Sequence, residues 1–338
     1  MKRLLVFLIC ISVFLCSCSS DTTTSMDTAS DSAPKTEETQ EPRSEFYEMS
    51  HNSNRPIAVM IDNDNEAARP QIGLEHAYLI YEIIVEGGAS RMMALFKDYD
   101  VEKVGPVRSA RHYFLDYALE NDAIYAHAGW SPQAQNDIAK LKINNINGIL
   151  GNDGTNYWRD YTYDKTYHNL YTSVAKLSQY AKENKKYCVK TSGDHINMHT
   201  KDTVPSGEDC LGVSFRYSAM YGVGFSYNSE KGVYERSVNG KPHRSQTGET
   251  LSAKNIIVYN VANYDLNDGQ NKGRQDIKNL GTGSGWYISL GKKEPITWTK
   301  DARNEKTLYL RPDGTELKVN PGITFIQIVP ENNEISFN

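Results

Sequence analysis

Hydrophobic runs alternate with turn and helix signals through the middle of the chain. The apolar runs predict buried strands at 57–61, 77–86, 90–97 and 123–129. Gly87-Gly88 separates the second and third runs and predicts a hairpin between them. Helical periodicity predicts helices after Ser109, after Ser131 and over 173–184, and both serines are good N-caps. We therefore predict an α+β or α/β fold for an N-terminal domain over residues 55–190.

The second half of the chain has β signals and no strong helical periodicity. Strands are predicted at 255–261, 285–290, 296–299, 307–310, 316–319 and 323–329. Asn239-Gly240 and Pro312-Asp313-Gly314 predict turns between alternating segments. The glycine-rich segment 281–285 has no helix after it, so it predicts a tight turn and not a dinucleotide-binding loop. This spacing predicts a mostly β C-terminal domain, barrel- or sandwich-like, over 212–338, with 191–211 as the junction.

The N-terminus predicts where the protein resides. Lys2-Arg3 precede a short apolar run, 4–15, which is too short to span a bilayer as a helix. Leu15-Cys16-Ser17-Cys18 then resembles a bacterial lipobox, with Cys18 as the lipidated residue. We predict a signal peptide over 1–18 and a diacylglyceryl anchor on Cys18 at the extracytoplasmic face of the cell membrane, since two acyl chains give stable anchoring. A secreted protein that is cut near the same place is the alternative.

Composition and charge narrow the picture further. Residues 19–54 are rich in Ser, Thr, Asp and Glu and nearly free of large apolar residues, which predicts a disordered tether. The formal net charge of −5 argues against non-specific binding of nucleic acid, which needs a basic surface. Among the five cysteines, only Cys188 and Cys210 lie in the predicted folded part. The sequence leaves both a disulfide and two free thiols open.

The segment 104–111 carries the densest candidate chemistry. Arg108 and Arg111 would lie beside the positive end of a helix dipole, where positive charge is unfavourable, so local stability does not explain them. Together with free backbone N–H groups, they would hold an anion such as a carboxylate or a phosphate. The alternative is that both arginines pair with internal carboxylates such as Glu82 and Glu86.

Other polar and aromatic side chains extend this predicted ligand-binding cleft. Its members are Asp62, Asn63, Glu82, Glu86, Arg91, Arg108, Ser109, Arg111, Trp130, Trp158 and Arg159. Asp62 and Asn63 end a predicted buried strand, although such residues are also common turn formers. Trp158 and Arg159 lie in a long predicted loop, 148–171, and either line a groove for glycan or peptide or only pack the loop down.

Paired carboxylates raise the possibility of hydrolysis. Glu82 and Glu86 are four residues apart, so in one strand they would share a face. Two carboxylates are the usual equipment for acid–base hydrolysis of sugars, which makes both glutamates candidate catalytic residues. His127, at the end of a predicted strand, is a third candidate, although a lone histidine is more often a satisfied core residue.

No complete catalytic or metal-binding motif is present. Ser131 follows Gly129-Trp130 as in part of a nucleophile elbow, but the second glycine is missing and Ser131 is a predicted helix cap. His195 and His199 have the spacing of metal ligands but lack the glutamate of the zinc-protease motif. We predict no metal, no cofactor and no assigned catalytic residue.

The assembled motifs resemble those of the YerB-type lipoproteins of Gram-positive bacteria. In the N-terminal domain the matching pieces are 56–63, 81–82, 85–88, Arg91, 105–111 and 127–132. In the C-terminal domain they are 298–300, Asp313-Gly314 and Pro321-Gly322. The resemblance implies a two-part extracytoplasmic lipoprotein, and it implies no reaction and no catalytic residues.

We therefore expect a membrane-anchored binding or scaffold protein of the cell envelope. Its partners would be peptidoglycan or a cell-wall enzyme, engaged through the cleft around the arginines. One alternative is a cell-wall hydrolase that uses Glu82 or Glu86 as the acid–base. A further alternative is a solute-binding lipoprotein, although such proteins usually have two similar α/β lobes and the second half of this chain is β-rich.

Overall fold

The helices of the chain are short. A computed structural model describes residues 43–191 and 196–338. Its α-helices are α1 (Glu45–Ser50), α2 (His112–Glu120), α3 (Pro132–Lys140) and α4 (Val174–Glu183). Ser131 and Ser173 accept hydrogen bonds from backbone N–H groups in the first turns of α3 and α4, which confirms these two predicted helix starts. Within these ranges, no helix is long and apolar enough to cross a membrane.

Strands lie between the helices and dominate the C-terminal half. Those of the N-terminal half are β1 (Ile57–Asn63), β2 (Leu79–Ile84), β3 (Ser90–Phe96), β4 (Ile124–His127), β5 (Asn145–Asn147), β6 (Tyr157–Arg159) and β7 (Leu170–Thr172). Those that follow are β8 (Glu208–Asp209), β9 (Gly212–Ser218), β10 (Tyr221–Asn228), β11 (Val233–Val238), β12 (Lys241–Pro242), β13 (Ser252–Ala253), β14 (Asn255–Val261), β15 (Asn263–Asp265), β16 (Gln275–Ile277), β17 (Gly281–Ser289), β18 (Lys292–Lys300), β19 (Leu308–Leu310), β20 (Thr324–Pro330) and β21 (Ile335–Phe337).

The main sheet joins strands from both halves of the chain. Its order is β19-β18-β17-β14-β20-β2-β3-β1-β4-β5, with β8 paired to β18. β20 lies between β14 and β2, runs parallel to both, and is buried along its whole length. Strands that are covered on both faces have nearly continuous apolar sequences. β20 fits this rule, since its apolar run is broken mainly by Gln327. Strands from both sides of the predicted junction share this sheet, so the sheet does not separate the two predicted domains. The division into 55–190, 191–211 and 212–338 therefore stays a prediction.

A second sheet is built from the C-terminal half. Its order is β12-β11-β10-β9-β21, with β13 paired to β11. It packs against the main sheet, and the ring of Phe225 on β10 lies 5.6 Å from the ring of Phe325 on β20. Neither sheet closes on itself in the part of the chain that the structure describes. The chain thus has an N-terminal α/β region followed by a mostly β region, and of the two predicted forms the second region is sandwich-like.

Three local predictions differ from the structure. β1 continues through Asp62 and Asn63, so the turn predicted there begins later. Segment 281–285, predicted as a tight turn, belongs to β17, because β17 pairs with β18 along its whole length. A Cβ at Gly283 would lie 2.6 Å from Trp298 Nε1, so this glycine allows close side-chain packing. Segment 316–319 makes only isolated bridges and no strand.

Folded structure begins before the predicted end of the tether. Ser44 caps α1, since its Oγ accepts a hydrogen bond from the amide of Tyr47 at 3.1 Å. Phe46, Tyr47 and Met49 pack against the core. The predicted end of the tether at residue 54 is therefore wrong. The prediction rested on the average composition of 19–54, in which these few apolar residues count for little. Residues 1–42, which include the lipobox, lie outside the described part.

Candidate functional site

The predicted arginine segment runs extended along β1 and leads into a helix only at its end, after Arg111. The amide of Arg108 donates to a carbonyl of β1 at 2.9 Å, and the Ser109 hydroxyl donates to the carbonyl of Ala128 at 2.9 Å. These bonds hold the segment between two neighbouring stretches of chain, so α2 begins only at His112. The prediction that Ser109 caps this helix is wrong, and Arg111 takes the cap position without a side-chain bond.

Glu86 binds two of the predicted arginines. Its Oε1 lies 3.1 Å from Arg91 Nη2, and its Oε2 accepts a hydrogen bond from Arg111 Nε at 2.8 Å. Burial alone would raise the pKa of Glu86, but the hydrogen bond from Arg111 and the charges of both arginines lower this pKa to about 2. Burial, and then the charge of Arg111, lower the pKa of Arg91 to about 10. The three side chains form an internal ion cluster, which is the alternative that the sequence left open for Arg111.

Arg108 pairs with a different carboxylate. Its Nε lies 2.8 Å from Oδ2 of Asp62, whose side chain is fully buried. His168 Nδ1 contacts the same Oδ2 at 2.7 Å. The exposed ring of Tyr167 covers the guanidinium at 5.3 Å. Asp62 therefore compensates the charge of Arg108, and His168, which no sequence pattern singled out, holds Asp62 in place.

Glu82 belongs to a buried network that crosses to the second sheet. Its Oε2 accepts a hydrogen bond from Arg236 Nη2 at 2.8 Å, and both side chains are fully buried. Ser90 Oγ, Tyr221 Oη and Asn63 Nδ2 donate to Oε1 at 2.6, 3.0 and 3.1 Å. Although burial opposes it, the charge of Glu82 raises the pKa of Arg236 above its ordinary value. The network fixes β2 and β3 against β10 and β11.

The two predicted catalytic glutamates lie in separate clusters. β2 ends at Ile84, and Glu86 sits in a 3-10 turn beyond it. The prediction that Glu82 and Glu86 share one face of a strand is therefore wrong, because the chain turns between them.

His127 lies in the core, and Trp130 packs against it. His127 is fully buried, with Nδ1 at 2.7 Å from the carbonyl of Gly129 and Nε2 at 3.2 Å from Asn145 Oδ1. Burial lowers the pKa of His127. The Trp130 ring lies 5.8 Å from the His127 ring and packs against the core. These contacts give His127 a structural position among backbone and amide groups.

Trp158 and Arg159 contact their own part of the chain. The Lys176 ammonium lies 5.0 Å from the Trp158 ring, and Arg159 donates to Asn169 Oδ1 at 2.5 Å. Both belong to β6, which pairs with β7. Of the two possibilities for this segment, these contacts fit packing of the segment onto the domain.

The structure brings together a cleft that the sequence did not reveal. Two adjoining cavities of about 480 and 300 Å³ share Glu66, Arg69 and Asn239 as lining residues. One wall comes from the segment after β1 and the other from the hairpin of β11 and β12. We call the larger cavity the Arg69 cleft.

Arg69 is half-buried and faces this cleft with little compensation. Its Nη1 donates to Asn63 Oδ1 at 2.8 Å, and it forms no ion pair with any described carboxylate. Burial, and then the charge of Arg236, lower its pKa from the ordinary value of arginine, although the charges of Glu82 and Glu66 oppose this shift. The cleft adds the exposed side chains of Lys241 and Arg244. A guanidinium in this position presents N–H donors to any anion that enters.

The remaining polar groups of the cleft leave it positive. Glu66 pairs with Lys241 at 2.8 Å, but both side chains are largely exposed, and such pairs contribute little free energy. His243 lies at the back, with Nε2 at 2.5 Å from Gln71 Oε1. Burial, and then the charges of Arg236 and Arg69, lower the pKa of His243 well below its ordinary value. His243 is therefore neutral and donates to Gln71.

Metal and disulfide chemistry find no support in the described residues. No group of three or more His, Cys, Asp and Glu side chains in 43–191 and 196–338 is arranged to hold a metal ion. His195, one member of the predicted metal-spaced pair, lies outside these ranges. Cys188 is exposed and Cys210 is buried, and both are free thiols.

Comparisons with known proteins identify the family. Models of the N-terminal and C-terminal domains of a protein of unknown function (DUF3048) match residues 45–187 and 213–326. The chain is 32% identical over 292 residues to "Putative lipoprotein YerB" of Bacillus subtilis (strain 168), a match that covers 84% of each chain. The crystal structure of the YerB protein from Bacillus subtilis aligns with a TM-score of 0.73 at 30% identity, over 84% of this chain and 94% of that one. The chain therefore belongs to the YerB-type family of two-part proteins, whose function is unassigned.

Proposed function

We propose that this chain is a membrane-anchored lipoprotein of the cell envelope that binds an anionic ligand in the Arg69 cleft. One observation carries the proposal: the half-buried Arg69 guanidinium lines two cavities and lacks an ion pair among the described residues. A partly desolvated charge without an ion-pair partner is unfavourable, and a bound carboxylate or phosphate would compensate it with charge-assisted hydrogen bonds.

The anchor is supported by two independent features. The lipobox at 15–18 offers Cys18 for a diacylglyceryl group, and the Bacillus relative carries the word lipoprotein in its name. Cleavage before Cys18 would leave the body on the extracytoplasmic face of the membrane, joined to it by a polar segment.

The proposed anion site differs from the one that the sequence predicted. Arg91 and Arg111 share Glu86, and Arg108 is paired with Asp62. An external anion would have to displace these internal carboxylates, whereas the Arg69 cleft is open. We therefore place ligand binding at Arg69 and assign the predicted arginines to the support of the fold.

Peptidoglycan is the partner that best fits the size of the cleft. Cavities of about 480 and 300 Å³ match the range in which proteins enclose small chemical groups. A cell-wall enzyme would instead need a patch of roughly 800 Å² on each partner. Peptidoglycan stem peptides carry free carboxylates, which suit a positively charged cleft.

The alternative functions draw no support from the geometry. Glu82 has no exposed surface and is bound to Arg236, so substrate has no access to it. Glu86 has a pKa of about 2 and stays ionised, so it is not a proton donor near neutral pH. A solute-binding protein would need two similar lobes around a hinge, whereas the two halves of this chain share one sheet.

Binding measurements on the Arg69→Gln variant test the proposal. The full-length chain in mild detergent would be titrated calorimetrically with inorganic phosphate and with soluble peptidoglycan fragments. We expect Arg69→Gln to weaken the binding of fragments at least about tenfold, since a hydrogen bond to a charged group contributes about 1.5–3 kcal/mol. Arg69→Lys should retain part of the affinity, because it keeps the charge.

Arg43→Gln is the matched control. It removes the same charge from an exposed arginine that lines neither cavity. If Arg43→Gln and Arg69→Gln weakened fragment binding equally, the effect would come from the overall charge of the chain. That result would refute a site at Arg69. Wild-type chain that binds neither probe would direct attention to a protein partner instead.

A further inference from the structure

A third cavity, of about 540 Å³, lies on the outer face of the second sheet. Asn239, in the turn between β11 and β12, lines this cavity and also both cavities at Arg69. Its Oδ1 accepts a hydrogen bond from the amide of Gly222 at 2.8 Å. The cavity therefore adjoins the Arg69 cleft across a single side chain, and we call it the serine trough.

The floor of the trough is a row of small polar residues. The strand register places Ser336 opposite Ser214, Ser214 opposite Gly224, and Gly224 opposite Ser237, so the row crosses β21, β9, β10 and β11. Ser214 and Ser336 have exposed side chains, and their hydroxyls have no hydrogen-bond partner within the described residues. These hydroxyls both donate and accept, and they point away from a sheet whose backbone groups are already paired.

Two glycines on β10 let polar side chains lie over the sheet. A Cβ at Gly222 would come within 2.8 Å of Arg216 Nη1, and a Cβ at Gly224 would come within 2.8 Å of Ser237 Oγ. The guanidinium of Arg216 is held by the carbonyls of Ser218 and Ala219, at 3.0 and 2.6 Å. The trough therefore presents hydroxyls and N–H groups to solvent on the outer face of the sheet.

The charges of the trough are balanced. Arg216 and Glu334 both line it, and its one large apolar residue, Phe215, is buried. A simple anion gains little here. The edge strand at the trough, β21, is only three residues long, so it offers a peptide few backbone hydrogen bonds, and the trough has no apolar pocket for peptide side chains. The lining matches a neutral, hydroxyl-rich ligand that donates and accepts hydrogen bonds in many directions.

We propose that the serine trough is a glycan subsite, so that the ligand of this protein is a glycan of several units that carries an anionic group. The neutral sugar units lie in the trough, and the anionic group reaches the Arg69 cleft past Asn239. The anionic end rests on the proposed function, whereas the trough stands on its own lining. A ligand that spans both sites binds more tightly than either part alone, because the second contact is intramolecular.

The test uses a neutral probe, the β-1,4-linked tetramer of N-acetylglucosamine, titrated into the full-length chain. Ser214→Leu fills the trough, and Ser226→Leu makes the same change at an exposed position of the same sheet face outside it. We expect Ser214→Leu to lower the affinity for the tetramer about tenfold or more, and Ser226→Leu to leave it within about twofold. Arg69→Gln should also leave the affinity for this neutral probe within about twofold.

Two results would overturn the subsite. One is the absence of saturable tetramer binding by the wild-type chain, and the other is an equal loss in both leucine variants. Failure of the anion site gives a different result. In that case, Arg69→Gln does not weaken the binding of phosphate and of peptidoglycan fragments. Tetramer binding that is lost only in Ser214→Leu supports the trough whatever the outcome at Arg69.

Discussion

The exchange Glu82→Gln tests the most deeply buried ion pair of the chain's described part. Glu82 on β2 and Arg236 on β11 are both fully excluded from solvent, with Nη2 and Oε2 2.8 Å apart. The exchange would leave the Arg236 charge uncompensated, and removal of one partner of a buried pair costs about 3–5 kcal/mol. The amide NH₂ of the introduced side chain is also a donor. In either orientation it would face a donor that now points at the carboxylate, which is Arg236 at one oxygen position and Asn63, Ser90 and Tyr221 at the other.

This loss is large relative to the stability of ordinary domains, which is about 5–15 kcal/mol. Urea unfolding, followed by circular dichroism, would give the free energy of unfolding of the wild type and of Glu82→Gln. We expect the double variant Glu82→Met/Arg236→Met to recover much of the loss, because apolar residues of similar volume remove both desolvated charges together.

Two outcomes would refute this reasoning. One is a Glu82→Gln variant as stable as the wild type, and the other is a double variant whose loss equals the sum of the single losses. A stable Glu82→Gln variant that also abolished the release of fragments from peptidoglycan would favour the hydrolase. Glu86→Gln is a useful comparison, because the Glu86 side chain is 26% exposed. Its two arginine partners lie closer to solvent than the fully buried Arg236, so loss of this carboxylate should cost less stability.

Three further predictions concern local features. Although burial opposes it, Arg111 and Arg91 lower the pKa of Glu86 from 4.5 to about 2. The stabilisation by this carboxylate is therefore complete above its ordinary pKa and is lost as the pH falls through about 2. The stability difference between wild type and Glu86→Gln should shrink below about pH 4, and a constant difference down to pH 2 would contradict the cluster. Ser131→Ala should lower the free energy of unfolding by about 1 kcal/mol, since Ser131 caps α3, and an unchanged value would argue against the cap. Cys188 should react with a thiol reagent in the native chain and Cys210 only after unfolding, as located by mass spectrometry; equal rates, or no reaction of either, would contradict the free exposed and buried thiols.

Features encoded in neighbouring residues were predictable from the sequence. The apolar run at 57–61 and the hairpin around Gly87-Gly88 gave β1, β2 and β3, and Ser131-Pro132 marked the start of α3. Long-range pairing was not predictable in the same way. β20 lies between β2 and β14, and the Glu82–Arg236 contact joins residues 154 positions apart, which no local pattern encodes.

The candidate site shows the same limit. Arg108 and Arg111 stood out because charges are dense around 104–111, but that density reflects internal pairing with Asp62 and Glu86. Arg69 is isolated in the sequence, and only the fold places it opposite Lys241 and Arg244. The one available signal was the basic run 241–244 directly after the strong Asn239-Gly240 turn, which marks an exposed positive hairpin.

Nuclear magnetic resonance of arginine side chains tests the central claim most directly. The Nε–H signals of the full-length chain would be followed as inorganic phosphate is added, with Arg69→Lys used to assign the signal of Arg69. We predict a saturable shift of the Arg69 signal, while the signals of Arg91 and Arg111, which Glu86 holds, stay in place. Saturable shifts of Arg91 and Arg111 with a stationary Arg69 signal would contradict the account and return the anion site to the segment that the sequence first indicated.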